Sequence, residues 1–218
     1  MESFPNPILL ISFLILLGLA PFIAILVSSF VKLMVVMQLT RTALGLQQEP
    51  PNMALSGIAI ILSIYIMAPV VMETKEIFTN QGIEITDIQN PGFRAALSES
   101  AGPLQDFLER HSKPEERNFF VETTKRIWPE KYSESVDERN LLVLIPAFLV
   151  SELTIAFQIG FLIYLPFIII DLIVSNILLS LGMIMVSPII VSLPFKLLLF
   201  VLVDGWSRLI HGLLLSYS

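Results

Sequence analysis

The chain has 218 residues, of which 55% are hydrophobic and only 15% charged; its net charge is −6 and its mean hydropathy +0.79. A soluble domain carries about 25% charged residues, so this is the composition of a membrane-type chain. There is no cysteine, which removes disulfides, thiol chemistry and cysteine metal sites, and the acidic balance argues against nucleic acid as a partner.

The charges are segregated. Residues 74–140 hold nine Lys/Arg and thirteen Asp/Glu, against totals of 13 and 19. Outside that stretch lie four uncharged runs: Ser3–Val31, Pro50–Met72, Leu153–Ile170 and Leu172–Phe195. A membrane-spanning helix needs roughly 20 apolar residues, and each run is of that order.

In chain order, Met1–Val31 reads as a first apolar helix, kinked at Pro21. It lacks a basic n-region and a small-x-small cleavage site, so a retained helix is expected rather than a cleaved leader. Lys32–Pro51 reads as a short polar connection. Its Lys32 and Arg41 place it in the cytoplasm by the positive-inside tendency, which makes the 74–140 insert extracytoplasmic. Asn52–Met72 is a second helix, with Pro69 marking a kink or an early end.

Thr74–Asn140 is the polar insert. Gly82, Asn90-Pro91-Gly92 and Gly102-Pro103 mark loops. Leu104, Phe107 and Leu108 fall on one helical face, as do Phe120, Thr124 and Ile127, and Pro129 stops the helix after Trp128. Ser112-Lys-Pro-Glu115 matches a capping box with proline inside the first turn. His111 and His211 have no neighbours at ligand spacing and read as surface histidines. The organisation expected is 1–73 apolar helices with a cytoplasmic loop, 74–140 insert, 141–218 C-terminal apolar hairpin.

Leu141–Ile170 is a third apolar unit and Leu172–Val203 a fourth; the whole stretch Leu141–Val203, interrupted by Pro146, Pro166, Pro188 and Pro194, reads as two long apolar arms joined by a turn. Between Gly182 and Pro188 lies Met183-Ile184-Met185-Val186-Ser187. Glycine lowers helix propensity, and proline disfavours the helical region for the residue before it, so this segment is a turn. Glu152, Asp171 and Lys196 are charges set in apolar surroundings, and such residues face protein or water. Counted from the turn's midpoint, Asp171 lies about 14 residues up one arm and Lys196 about 11 up the other, so at 1.5 Å per residue their depths differ by about 3 Å. The two are expected to meet, within one chain or across a subunit seam. The fold class is an all-α membrane protein of broken apolar helical hairpins with one extracytoplasmic helical insert.

Phosphate-binding glycine loops, H-E-x-x-H and G-x-S-x-G are all absent, so the residues offer no enzyme chemistry and no cofactor site. They leave open a secondary transporter or small channel subunit using Glu152 or Asp171.

Several strings point elsewhere: Phe30-Val-Lys32, Thr42-Ala-Leu-Gly-Leu-Gln-Gln48, Met67-Ala-Pro69, Ile145-Pro-Ala-Phe148, Ser151-Glu-Leu153 and Ala156-Phe-Gln-Ile-Gly-Phe161. Leu165-Pro-Phe167, Leu181-Gly-Met-Ile-Met-Val-Ser-Pro188, Leu193-Pro-Phe-Lys-Leu197 and Asp204-Gly-Trp206 complete the set. Together they resemble the type III secretion export-apparatus family of SctR and its flagellar counterpart FliP, sparing only the insert. The resemblance implies a non-enzymatic, pore-forming subunit of the export gate. It implies a ring of five copies, SctS-like and SctT-like partner subunits, and unfolded polypeptides as cargo. It places the assembly in the bacterial inner membrane, inside the basal body, with much of the ring above the bilayer plane. The flagellar branch carries a cleaved leader, so a retained first helix favours the virulence-type branch. The family's methionine gasket maps to Met183, Ile184 and Met185, held by Gly182 and Pro188; here isoleucine replaces the middle methionine.

Overall fold

The computed structural model describes residues 7–46, 48–80 and 99–218. The expected loop signals at Gly82 and Asn90–Gly92 lie outside the described residues. Among the described residues the chain is helical without strands. The helices are α1 (Pro7–Leu26), α2 (Phe30–Ala43), α3 (Asn52–Asn80), α4 (Gly102–His111), α5 (Pro114–Ile127), α6 (Glu130–Ser133), α7 (Leu141–Ser180), α8 (Pro188–Leu202) and α9 (Gly205–Leu215).

The stretch expected to be a polar connection is the helix at the centre of the fold. Lys32, Gln38, Thr40 and Arg41 lower the hydropathy of α2, yet Leu33, Val36 and Met37, at i, i+3 and i+4, are each fully buried. They pack with Leu55 and Ala59 of α3, Ala156 of α7 and Leu213 of α9. Ser29, just before α2, donates to the Ser63 hydroxyl of α3 at 3.2 Å. The connection proper is short and follows Ala43. There Arg41 donates to the Pro50 carbonyl at 3.0 Å and to the Asn52 side chain at 2.6 Å, tying the loop to the start of α3.

Among the described residues, two helices are long and apolar enough to cross a membrane, over Asn52–Ile77 and Leu141–Ser180. Two bent pairs pass the same test together: Leu17–Leu26 with Phe30–Ala43, bent by 63°, and Pro188–Leu202 with Gly205–Leu215, bent by 59°. Proline breaks fewer helices than its count implies. Pro69, Pro146, Pro166 and Pro194 all lie inside helices, and α3 runs through Pro69 to Asn80 rather than ending near Met72. Helix-breaking residues are tolerated where neighbouring helices and side chains re-satisfy the backbone. Asp171 interrupts the apolar run without ending the helix, so the third apolar unit and the start of the fourth are one 40-residue helix, and the two arms joined at the turn are this α7 and the shorter α8.

At 1.5 Å per residue α7 is about 60 Å long, twice the roughly 30 Å of a bilayer's hydrocarbon core. Much of it therefore meets protein or water. Its first half carries the insert: Leu144 and Phe148 pack with Phe107 and Leu108 of α4. Ser151 accepts a hydrogen bond from the Lys113 amide at 2.9 Å. That bond corrects the expected capping box. Ser112 ends α4, the cap of α5 is Lys113 with no side-chain cap bond, and the amide ahead of Pro114 is satisfied from α7 instead. At Gly160 α7 packs tightly on α2: a Cβ there would lie 2.3 Å from Leu39 Cδ1.

Candidate functional site

The turn between α7 and α8 is built by backbone bonds. Gly182 has φ +74, and the amides of Met183 and Gly182 reach back to the carbonyls of Leu178 and Leu179 at 2.9 and 3.0 Å. These are the two bonds of a Schellman motif, which needs a left-handed residue at the glycine position. Val186 then bonds the Met183 carbonyl at 3.3 Å, Ser187 is extended ahead of proline, and Pro188 opens α8. The tip is left bare. Met183 is 45% exposed, Ile184 79% and Met185 100%.

Below the tip, Lys196 of α8 pairs with Asp171 of α7 at 2.6 Å, within one chain. Ser192 donates to the other Asp171 oxygen at 2.5 Å. Lys196 is buried, whereas Asp171 keeps about a third of its side chain exposed, so it is not a fully buried charge. Lys196 also donates to the Ala43 carbonyl at the end of α2, at 3.4 Å. A cation at a helix C-terminus satisfies an orphan carbonyl and matches the helix dipole. Gly45, at φ +79, allows a second Schellman turn to sit against Leu193 and Ile189 of α8. The stem of the hairpin is thereby pinned to α2.

Glu152 does not join that pair. It meets Lys32 of α2 at 3.1 Å, with side chains 1% and 2% exposed. The second Glu152 oxygen accepts from the Tyr217 hydroxyl, and the Lys32 ammonium lies 3.6 Å from the centre of the Tyr217 ring. That ring stacks on Phe107 and meets His111 edge-on at 5.0 Å. Burial, and then the Glu152 carboxylate, push the Tyr217 hydroxyl's pKa up. Burial, followed by the Lys32 and Arg110 charges, lowers His111 to about 4. His111 is thus part of a packed cluster and not a free surface histidine, while His211 is exposed. Lys32 and Tyr217 were legible only as a charge ending an apolar run and a tyrosine near the chain's end. Among the described residues no group of three or more His, Asp or Glu comes together to hold a metal ion.

The two ion pairs clamp α2 to α7 at separate levels, Lys32–Glu152 near one end of α2 and Asp171–Lys196–Ala43 at the other, with the Leu39–Gly160 approach between. The sequence pattern behind this clamp extends over nearly the whole chain: the FliP family description matches residues 13–213. The chain belongs to the FliP family. It is 52% identical over 218 residues to the Yop proteins translocation protein R of Yersinia pestis, covering both chains completely. It is 46% identical over 217 residues to virulence protein YscR of Salmonella typhimurium, with 98% of each chain covered. With harpin secretion protein HrcR of Erwinia amylovora the identity is 45% over 212 residues, covering 97% of each. These relatives align through the insert as well as through the apolar helices.

Proposed function

We propose that this chain is a pore-forming subunit of an export gate. Copies surround a conduit and present their Gly182–Pro188 turns to its centre, where Met183, Ile184 and Met185 close it. As a FliP-family protein aligned end to end with secretion and translocation proteins, it is a component of a type III secretion export apparatus. In the finer reading the ring has five copies, joins SctS-like and SctT-like subunits, sits in the bacterial inner membrane and passes unfolded polypeptides without catalysing a reaction.

The observation that carries this reading is the contrast between tip and stem. The stem is pinned by Schellman bonds and a lysine–aspartate pair, whereas Ile184 and Met185 at the apolar tip have little or no cover from their own chain and Met183 is half exposed. A ring of apolar side chains closes a pore by excluding water. Methionine suits the task because it is unbranched and flexible, filling an irregular gap yet yielding to a passing chain. Against a transporter stands the pairing of both candidate ion ligands: Glu152 and Asp171 each already hold a lysine.

The test is conductance of the purified complex in a planar bilayer. Met183→Ala with Met185→Ala should assemble normally and leak ions. A doubly shortened complex as tight as the parent would show that these residues are not the seal.

A further inference from the structure

Four basic residues lie outside the insert: Lys32, Arg41, Lys196 and Arg208. Three are satisfied within the chain, Lys32 by Glu152, Lys196 by Asp171, and Arg41 by the Pro50 carbonyl and Asn52. Among the described residues the Arg208 side chain has neither an ion pair nor a hydrogen-bond acceptor. Asp204, four residues earlier, does not supply one; it lines a separate cleft with Glu49 and Trp206.

Arg208 instead borders a groove of about 570 Å³ left by the 59° bend between α8 and α9. Its walls are apolar, from Ile163 and Phe167 of α7, Leu199 of α8, Val203 at the bend and Leu209 of α9. Two glycines shape it. A Cβ at Gly205 would come within 2.3 Å of the Phe200 ring, so glycine permits the tight bend, and at Gly212 a Cβ would meet nothing within 4 Å, so the groove is open there. On the α8 side of the bend the exposed residues Val201, Leu202 and Val203 are apolar, Asp204 in the bend and Arg208 beyond it are exposed charges, and the bent pair is long and apolar enough to cross a membrane.

We propose that this groove binds an anionic phospholipid, with the phosphate on the Arg208 guanidinium and an acyl chain between α7 and α9. An intramembrane arginine is costly unless its charge is answered, and the guanidinium fork matches a phosphate's oxygens in two parallel hydrogen bonds. The apolar walls take a hydrocarbon chain and offer nothing to a soluble anion. The site depends on the chain lying in a membrane and is independent of the pore reading.

The experiment uses the purified export complex in nanodiscs of phosphatidylcholine containing a fixed fraction of phosphatidylglycerol, with bound lipid counted by native mass spectrometry after release. The parent should retain phosphatidylglycerol in preference to phosphatidylcholine. Arg208→Gln should lower that retention about tenfold, and Arg208→Lys less, because a lysine is a point charge without the fork. Gly212→Phe should also lose the lipid by filling the groove while Arg208 remains. The intact mass in the same spectra reports assembly. Equal retention of phosphatidylglycerol by the parent and Arg208→Gln overturns the proposal, as does an Arg208→Gln complex that sheds a subunit and keeps its lipid, which would give the guanidinium a protein partner. If Arg208→Gln does not assemble, Gly212→Phe decides: lipid retained at the parent's level refutes the site.

Discussion

Removing Glu152 or Lys32 should destabilise the protein by unequal amounts, and the inequality follows from Tyr217. The pair lies 3.1 Å apart with both side chains almost fully buried. Breaking such a pair from one side costs about 3–5 kcal/mol, because the remaining charge is left without its counter-ion. In Glu152→Gln the stranded Lys32 still lies against the Tyr217 ring, 3.6 Å from its centre. A desolvated cation–π contact is worth about 2 kcal/mol, so this variant should fall near ~3 kcal/mol. Lys32→Met leaves the Glu152 carboxylate with only the Tyr217 hydroxyl and should fall near ~5 kcal/mol. The double variant leaves no buried charge at this site, so it should fall short of additivity by about 2–3 kcal/mol, the upper range for contacting residues. Unfolding in mixed detergent–SDS micelles, followed by tryptophan fluorescence, measures all four corners of the cycle. Additive losses would refute the pairing, and equal single losses would refute the part given to the tyrosine ring.

Gly182→Ala meets no steric obstacle but must hold φ +74, so it should destabilise the hairpin by about 1 kcal/mol, while Gly57→Ala, at a helical position with open space, should not; equal effects would remove the argument from the left-handed turn. His111 is held near 4 in the folded chain and returns to its ordinary 6.5 when unfolded, so the unfolded state binds more protons between those values. Stability is then complete above about pH 6.5 and falls as pH drops toward 4. Thermal melting of His111→Gln should show a flatter profile across that window, and an unchanged profile would assign the effect to other groups. Reporter fusions within 99–140 should behave as exported, and a reporter active only in the cytoplasm would overturn the proposed orientation.

What the sequence determined by itself is local: hydropathy, charge segregation and helix punctuation. The uncharged runs mark the apolar helices, Gly182 and Pro188 mark the turn, and the helical rise counted from that turn sets Asp171 and Lys196 at nearly one depth, where the structure pairs them. Each depends on short-range geometry, with no knowledge of what lies across the fold. Where tertiary contacts compete with local signals, the local reading fails. The hydropathy of α2 is lowered by Lys32, Thr40 and Arg41, but neighbours supply what those groups require: Glu152 answers Lys32, and Pro50 and Asn52 answer Arg41, while Thr40 bonds the Val36 carbonyl at 2.9 Å. Ser112 has the spacing of a cap, but Ser151 of α7 takes the amide that makes the cap position. His111 and Tyr217, far apart in the chain, meet only because α4 and the chain's last turn converge on the Lys32–Glu152 pair. Only the folded chain could decide these partners, since a buried polar group is satisfied by whatever donor or acceptor the packing brings within about 3 Å, irrespective of its distance in sequence.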